Sequence, residues 1–213
     1  MASLEVWTLW LHIAAGIVAL GAGVVALVTA KGGLTHRRAG KGFLVSMAVV
    51  VGTVFPLLAI DPTSNRVFLS LVAVFSGYLA FSGYRVLSRK RPADEAMPVD
   101  WVAAVAAVLA SLALGGWGLG RLAGGETFGI VLVVFGTIGL GFGGYDLRAF
   151  RAADGGSEWM VTHLQRMIGA FIATVSAVSA VNLTTVLGAA AWLWPTAAFV
   201  PLIVYWSNKY ERS

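Results

Sequence analysis

The 213-residue chain contains no cysteine, which excludes disulfides, thiolate metal sites, iron–sulfur clusters and cysteine nucleophiles. Charge is scarce as well. Asp, Glu, Lys and Arg supply 12% of the residues, where a soluble domain carries roughly 25%. With a mean hydropathy of +0.83, this excludes a water-soluble monomer. Only three histidines occur, too few for the histidine clusters of membrane di-iron desaturases. No H-E-x-x-H zinc-protease helix is present, and the last apolar span has no lysine to carry a retinal Schiff base. What remains is 58% apolar residues and 26 glycines. That composition suits packed membrane helices, whose backbones approach closely at glycine.

A membrane-crossing helix needs about 20 mostly apolar residues. Stretches free of Asp, Glu, Lys and Arg run near 6–30, 42–60, 67–84, 101–120, 127–145 and 167–208. The last is too long for one crossing and divides near Gly188, giving helices at 163–185 and 188–207. The expected fold is therefore all-α, a single seven-helix transmembrane domain over 1–213. Pro56, Pro195 and Pro201 fall inside spans, which neighbouring helices tolerate. Trp7, Trp10, Trp101, Trp117, Trp159, Trp192, Trp194 and Trp206 fall at or near span ends, as an interfacial aromatic belt requires. The first span is read as retained, because Glu5 stands where a signal peptide has a basic region and the apolar run is too long.

Lys and Arg in the connections set the expected orientation. The odd-numbered loops and the tail hold 13 of them, including Lys31, Arg37, Arg38, Arg89, Arg148 and Arg166; the even-numbered loops hold Arg66 and Arg121. The N-terminus is expected outside and the C-terminus in the cytoplasm, as for a multi-pass protein of a bacterial inner membrane. These basic loops also account for the high pI without any nucleic-acid partner. The lipid bilayer is the expected partner, and the Gly-rich helices leave a homo-oligomer open.

Two internal likenesses stand out. Phe81-Ser82-Gly83-Tyr84-Arg85 resembles Phe142-Gly143-Gly144-Tyr145-Asp146, and each opens a basic connection. Thr35-His36 and Thr162-His163 each precede a glycine, Gly42 and Gly169, by six residues from the histidine. Duplicated hairpins in membrane bundles leave traces of this kind. The run Gly136, Gly139, Gly141, Gly143 and Gly144 lies in an apolar span and reads as helix packing.

The histidines are the leading candidates for chemistry. His36 and His163 open helices that run in the same direction, with Arg37, Tyr145, Asp146 and Arg166 at similar depth. Paired imidazoles suit a divalent metal or haem, with Arg and Tyr toward propionates, a phosphate or a lipid headgroup. Asp146 could orient an imidazole. Interfacial Arg, Tyr and Trp also serve as plain membrane anchors, and the histidines as loop caps. His12 lies roughly 10 Å inside the outer boundary at 1.5 Å per residue. Ser176, Ser179 and Asn182 form a stripe expected to be buried at comparable depth, a partner for its imidazole.

Leu11-His12 with Gly16, the run His36-Arg37-Arg38-Ala39-Gly40-Lys41, the two Tyr84 and Tyr145 segments and the His163-to-Asn182 stretch resemble a family of bacterial multi-pass membrane proteins. That domain family has a His-Arg-x-x-Gly loop motif and no assigned function. The resemblance implies a membrane bundle and carries no catalytic residue. Two functions are open from the sequence: haem or metal binding through His36 and His163, or transport of a small polar or anionic solute.

Overall fold

A computed structural model describes residues 2–91, 93–152 and 158–211. Arg212 of the basic tail and part of the 146–162 connection lie outside them. Among the described residues the elements are α1 (Ala2–Val28), α2 (Leu34–Ile60), α3 (Ser64–Arg85), a 3-10 turn (Val86–Ser88), α4 (Pro98–Ala123), α5 (Gly129–Ala152), α6 (Trp159–Leu187) and α7 (Ala190–Glu211), with no strand. Seven helices are long and apolar enough to cross a membrane. The exterior agrees: Trp7, Val28, Val181 and Val186 are all strongly exposed, an arrangement that lipid tolerates and water does not. The chain is an all-α, multi-pass membrane protein.

Local chemistry explains the ends. Pro98 opens α4, where its missing N–H costs nothing, and Asp100 accepts a hydrogen bond from the Met97 N–H at 2.9 Å. The long apolar run breaks where expected, at Gly188, whose φ of +53° lies in the left-handed region that a side chain disfavours. Lys31 stands just past α1 and donates to the Ala26 and Leu27 carbonyls at 3.1 and 2.7 Å, satisfying acceptors that the helix end leaves open. Burial pulls the Lys31 pKa below its ordinary value.

The helices extend beyond the charge-free runs. Asp100 lies within α4, Asp146, Arg148 and Arg151 within α5, and Arg166 within α6. The backbone of a helix satisfies itself, so a charge does not end it when the side chain finds a partner or reaches an interface.

Contacts gather into two compact units, Met1–Ala73 and Val74–Ser213, with the division inside α3. In the first, α1 packs along α2 around Ala19, Phe43, Met47 and Val54. Its polar ties are His12 to Thr53, and Arg66 to both Glu5 and the Leu57 carbonyl.

In the second unit α4 and α5 form a tight seam. A Cβ added at Gly136 would lie 2.7 Å from the Gly115 nitrogen, and one at Gly129 would lie 2.6 Å from the Gly118 carbonyl oxygen. Gly139 abuts Ser111, and Gly143 abuts Val108. Gly141 and Gly144, off this stripe, face open space. The glycines that pack α5 thus do so against α4 of the same chain.

Candidate functional site

A buried ion pair of the second unit, Arg166 with Asp146, lies where α3, α5 and α6 come together. Arg166 is 1% exposed. Its Nη2 donates to Asp146 Oδ1 at 2.8 Å and to the Phe142 carbonyl at 3.2 Å. The other Asp146 oxygen accepts from the Tyr78 hydroxyl. The guanidinium lies 4.4 Å from the Phe142 ring centroid and 5.7 Å from that of Tyr78, within cation–π range. Gly83 makes room for this: a Cβ there would come within 2.8 Å of the Arg166 Cβ.

One donor is left over. Arg166 Nη1 is buried and has no hydrogen-bond partner among the described residues. A guanidinium presents five N–H donors, and a buried polar group without a partner costs about 1–3 kcal/mol, more when charged. Arg166 also borders a cavity of about 520 Å³ between α5 and α6, within the roughly 300–1,000 Å³ of small-molecule sites. Ile138, Phe142, Tyr145 and Val161 give it apolar walls, and Gly141 opens one side. Glu158, Thr162 and Gln165 add polar groups; Gln165 also donates to Ser207 on α7 at 3.4 Å.

A second ionic cluster lies nearby. Asp100, 2% exposed, accepts from Arg85 Nε and Nη2 at 2.9 and 3.0 Å, and Arg89 Nη1 is 4.0 Å away. The Arg89 guanidinium stacks on Phe150 at 4.6 Å. These bonds tie the start of α4 to the end of α3.

Asp146, Arg166, Tyr145 and His163 therefore belong to one unit, and Asp146 and Arg166 are directly bonded. His36 and Arg37 belong to the other unit; Arg37 is exposed. The Asp146 oxygens accept from Arg166 and from Tyr78. Each of these two histidines meets a carbonyl. His36 Nδ1 is 3.0 Å from the Ala26 carbonyl on α1, and His163 Nδ1 is 2.7 Å from the Gly83 carbonyl on α3. A carbonyl only accepts, so Nδ1 carries the hydrogen and, in the neutral ring, Nε2 carries the lone pair. Among the described residues no three His, Asp or Glu side chains gather as metal ligands.

The two Thr-His segments are matched in packing as well as in sequence. Gly42, six residues after His36, faces Ala22, four residues before Ala26. Gly169, six after His163, faces Leu79, four before Gly83. The α1–α2 and α3–α6 pairs thus share one antiparallel register.

His12 finds its partner within its own unit. Its Nδ1 is 2.9 Å from Thr53 Oγ1, whose hydroxyl donates to the Val49 and Val50 carbonyls and so accepts from the imidazole. On the α6 stripe, Ser176 is buried with its Oγ unpartnered, and Ser179 accepts from Trp194 Nε1 at 2.6 Å. Asn182 is not buried. Residues 181–187 of α6 are exposed, and the amide folds back onto the Val178 carbonyl at 2.7 Å.

Sequence reasoning missed Tyr78, Thr53 and the Arg85–Asp100 pair. A tyrosine hydroxyl in mid-span was a signal for the first, since a buried O–H seeks an acceptor. Comparisons with protein-family models, curated proteins and solved structures return no match.

Proposed function

We propose that the protein is a small membrane carrier or channel for an anionic solute, with the α5–α6 cavity as its binding site and Arg166 as the group that selects negative charge. The observation carrying this reading is a guanidinium 1% exposed that borders a cavity and keeps one N–H group unpartnered. An oxyanion accepting from Nη1 satisfies that donor with a charge-assisted bond, the strong kind. Ionisable residues within membrane spans mark solute paths by default. The asymmetry of 13 against 2 basic residues supports an N-terminus outside and a C-terminus in the cytoplasm of a bacterial inner membrane. On that reading the cavity, built from the end of α5 and the start of α6, lies toward the cytoplasmic side.

Uptake by vesicles containing the purified protein tests it, using labelled lactate, phosphate, sulfate and choline. At least one anion enters saturably and choline does not; Arg166→Gln lowers that uptake at least about tenfold, the loss of one charge-assisted bond. Entry of all three anions at the rate of protein-free vesicles overturns the proposal.

A second reading, haem or a divalent metal bound through His36 or through His163, is supported by the Nδ1–carbonyl bond that each makes within its own unit, the arrangement that commonly orients a ligating imidazole. An optical spectrum and a metal assay of the purified protein test it. A Soret band or stoichiometric metal supports it, and colourless, metal-free protein removes it.

A further inference from the structure

The proposed anion site has a charge balance that narrows its ligand. Arg166 is its buried cation, and that cation is already matched by Asp146 at 2.8 Å. A second carboxylate on Nη1 would place two anions on one guanidinium that is itself buried. Carboxylates in that position do not both stay ionised; one of them keeps a proton. The other charged and titratable groups facing Asp146 do not relieve this. From α3 there is the Tyr78 hydroxyl, already donating to it; beyond α3 there is Arg89, and from α4 Asp100. Arg89 stands 4.0 Å from Asp100, which Arg85 already pairs, and stacks on the Phe150 ring; it is not among the residues that line the cavity.

The walls narrow the ligand further. Ile138, Phe142, Val161 and the Tyr145 ring offer an apolar surface, and Glu158 adds a carboxylate to the lining. A dianion would meet Arg166 as the one cation among the described lining residues, and a fully polar ion would leave the apolar wall uncovered. An organic body of moderate size with one carboxylate matches both features, and the volume of about 520 Å³ accommodates it.

We infer that the ligand is an apolar monocarboxylate and that it binds together with one proton, which Asp146 takes up. This rests on the reading of the α5–α6 cavity as the anion site. No covalent bond of the ligand changes. Its carboxylate accepts from Arg166 Nη1, a proton from water joins one Asp146 oxygen, and the site gains no net charge. Such a carboxylate reaches the cavity either from solution or, as a fatty acid, from the bilayer.

Calorimetry on the purified full chain, in buffers of different ionisation enthalpy, counts the protons bound with each ligand. The probes are benzoate for a soluble source, oleate for a bilayer source, and sulfate and phosphate as apolar-free controls. Benzoate or oleate binds with uptake of close to one proton, and its affinity rises about tenfold for each unit that the pH falls. Tighter binding of benzoate assigns a soluble source, and tighter binding of oleate assigns the bilayer. Asp146→Asn binds the same probe with no proton uptake and no pH dependence. Should that variant not fold, wild-type protein with carboxyl-labelled aspartate is the second measure. Addition of the probe then brings up a protonated aspartyl carbonyl band in the infrared difference spectrum. Binding without proton uptake, proton uptake that persists in Asp146→Asn, absence of the aspartyl band, or tighter binding of sulfate or phosphate each overturns the inference. All of these leave the anion site itself standing, whereas failure of all four anions to bind removes the site.

Discussion

Replacing Gly136 by alanine tests the seam that positions α5. The added methyl would lie 2.7 Å from the Gly115 nitrogen, 2.8 Å from the Ser111 carbonyl oxygen and 2.9 Å from the Gly115 Cα. All three are backbone atoms, so no rotamer change relieves the contact. Carbon contacts settle near 3.5–4.0 Å, so the two helices must part by about 0.7 Å or more. Overpacking of this kind costs about 1–3 kcal/mol. For a chain of this size that lowers the unfolding midpoint by about 2–4 °C per kcal/mol, or roughly 2–12 °C in all. Gly144→Ala is the control, because it sits on the same helix with nothing within 4 Å of its added Cβ; it leaves stability unchanged or raises it by up to about 1 kcal/mol, the helix preference of alanine over glycine. Thermal unfolding of both variants in one detergent, followed by circular dichroism, makes the comparison. Equal midpoints for the two would refute close backbone packing as the role of Gly136.

Two further outcomes follow from the polar ties. Asp100→Ala strips the acceptor from Arg85 and from the Met97 N–H at the start of α4; it lowers stability by about 1–3 kcal/mol in the same thermal assay, whereas an unchanged midpoint would show that the buried pair contributes no net stability. A single cysteine at Thr63→Cys, in a chain that has none of its own, reacts with an impermeant maleimide added outside the cell, and labelling only from the cytoplasm reverses the orientation.

Architecture is legible in this sequence because the bilayer imposes a length and a composition on every crossing helix. The seven helices and the break at Gly188 follow from those constraints alone. Their ends are less legible. Counting a charge as the end of a span places Asp146 outside it, although it lies inside α5 once it is paired with Arg166. The pair itself is half legible: both residues stand out as charges beside His163, but Tyr78 is 68 positions from Asp146. Which helices are neighbours, and so which distant side chains meet, is set by packing that periodicity does not encode. His12 shows the same limit. Its depth correctly demands a polar partner, but depth alone does not distinguish Thr53 from the serines of α6. The glycines divide for a similar reason, since only contact with α4 separates Gly136, Gly139 and Gly143 from Gly141 and Gly144.

Blocking the cavity without touching the charges tests the anion site most directly. Gly141 lines the cavity, and a Cβ there meets nothing within 4 Å, so Gly141→Leu starts from open space and extends its side chain from the cavity lining. Gly144→Leu on the same helix also meets open space and is not part of the lining. Binding of benzoate and of phosphate is measured by calorimetry for both variants and for the wild type, with thermal unfolding as a check on folding. The account predicts that Gly141→Leu weakens the better-bound anion at least about tenfold, corresponding to roughly 1.4 kcal/mol, while Gly144→Leu leaves it unchanged. Equal affinity in all three proteins would contradict it.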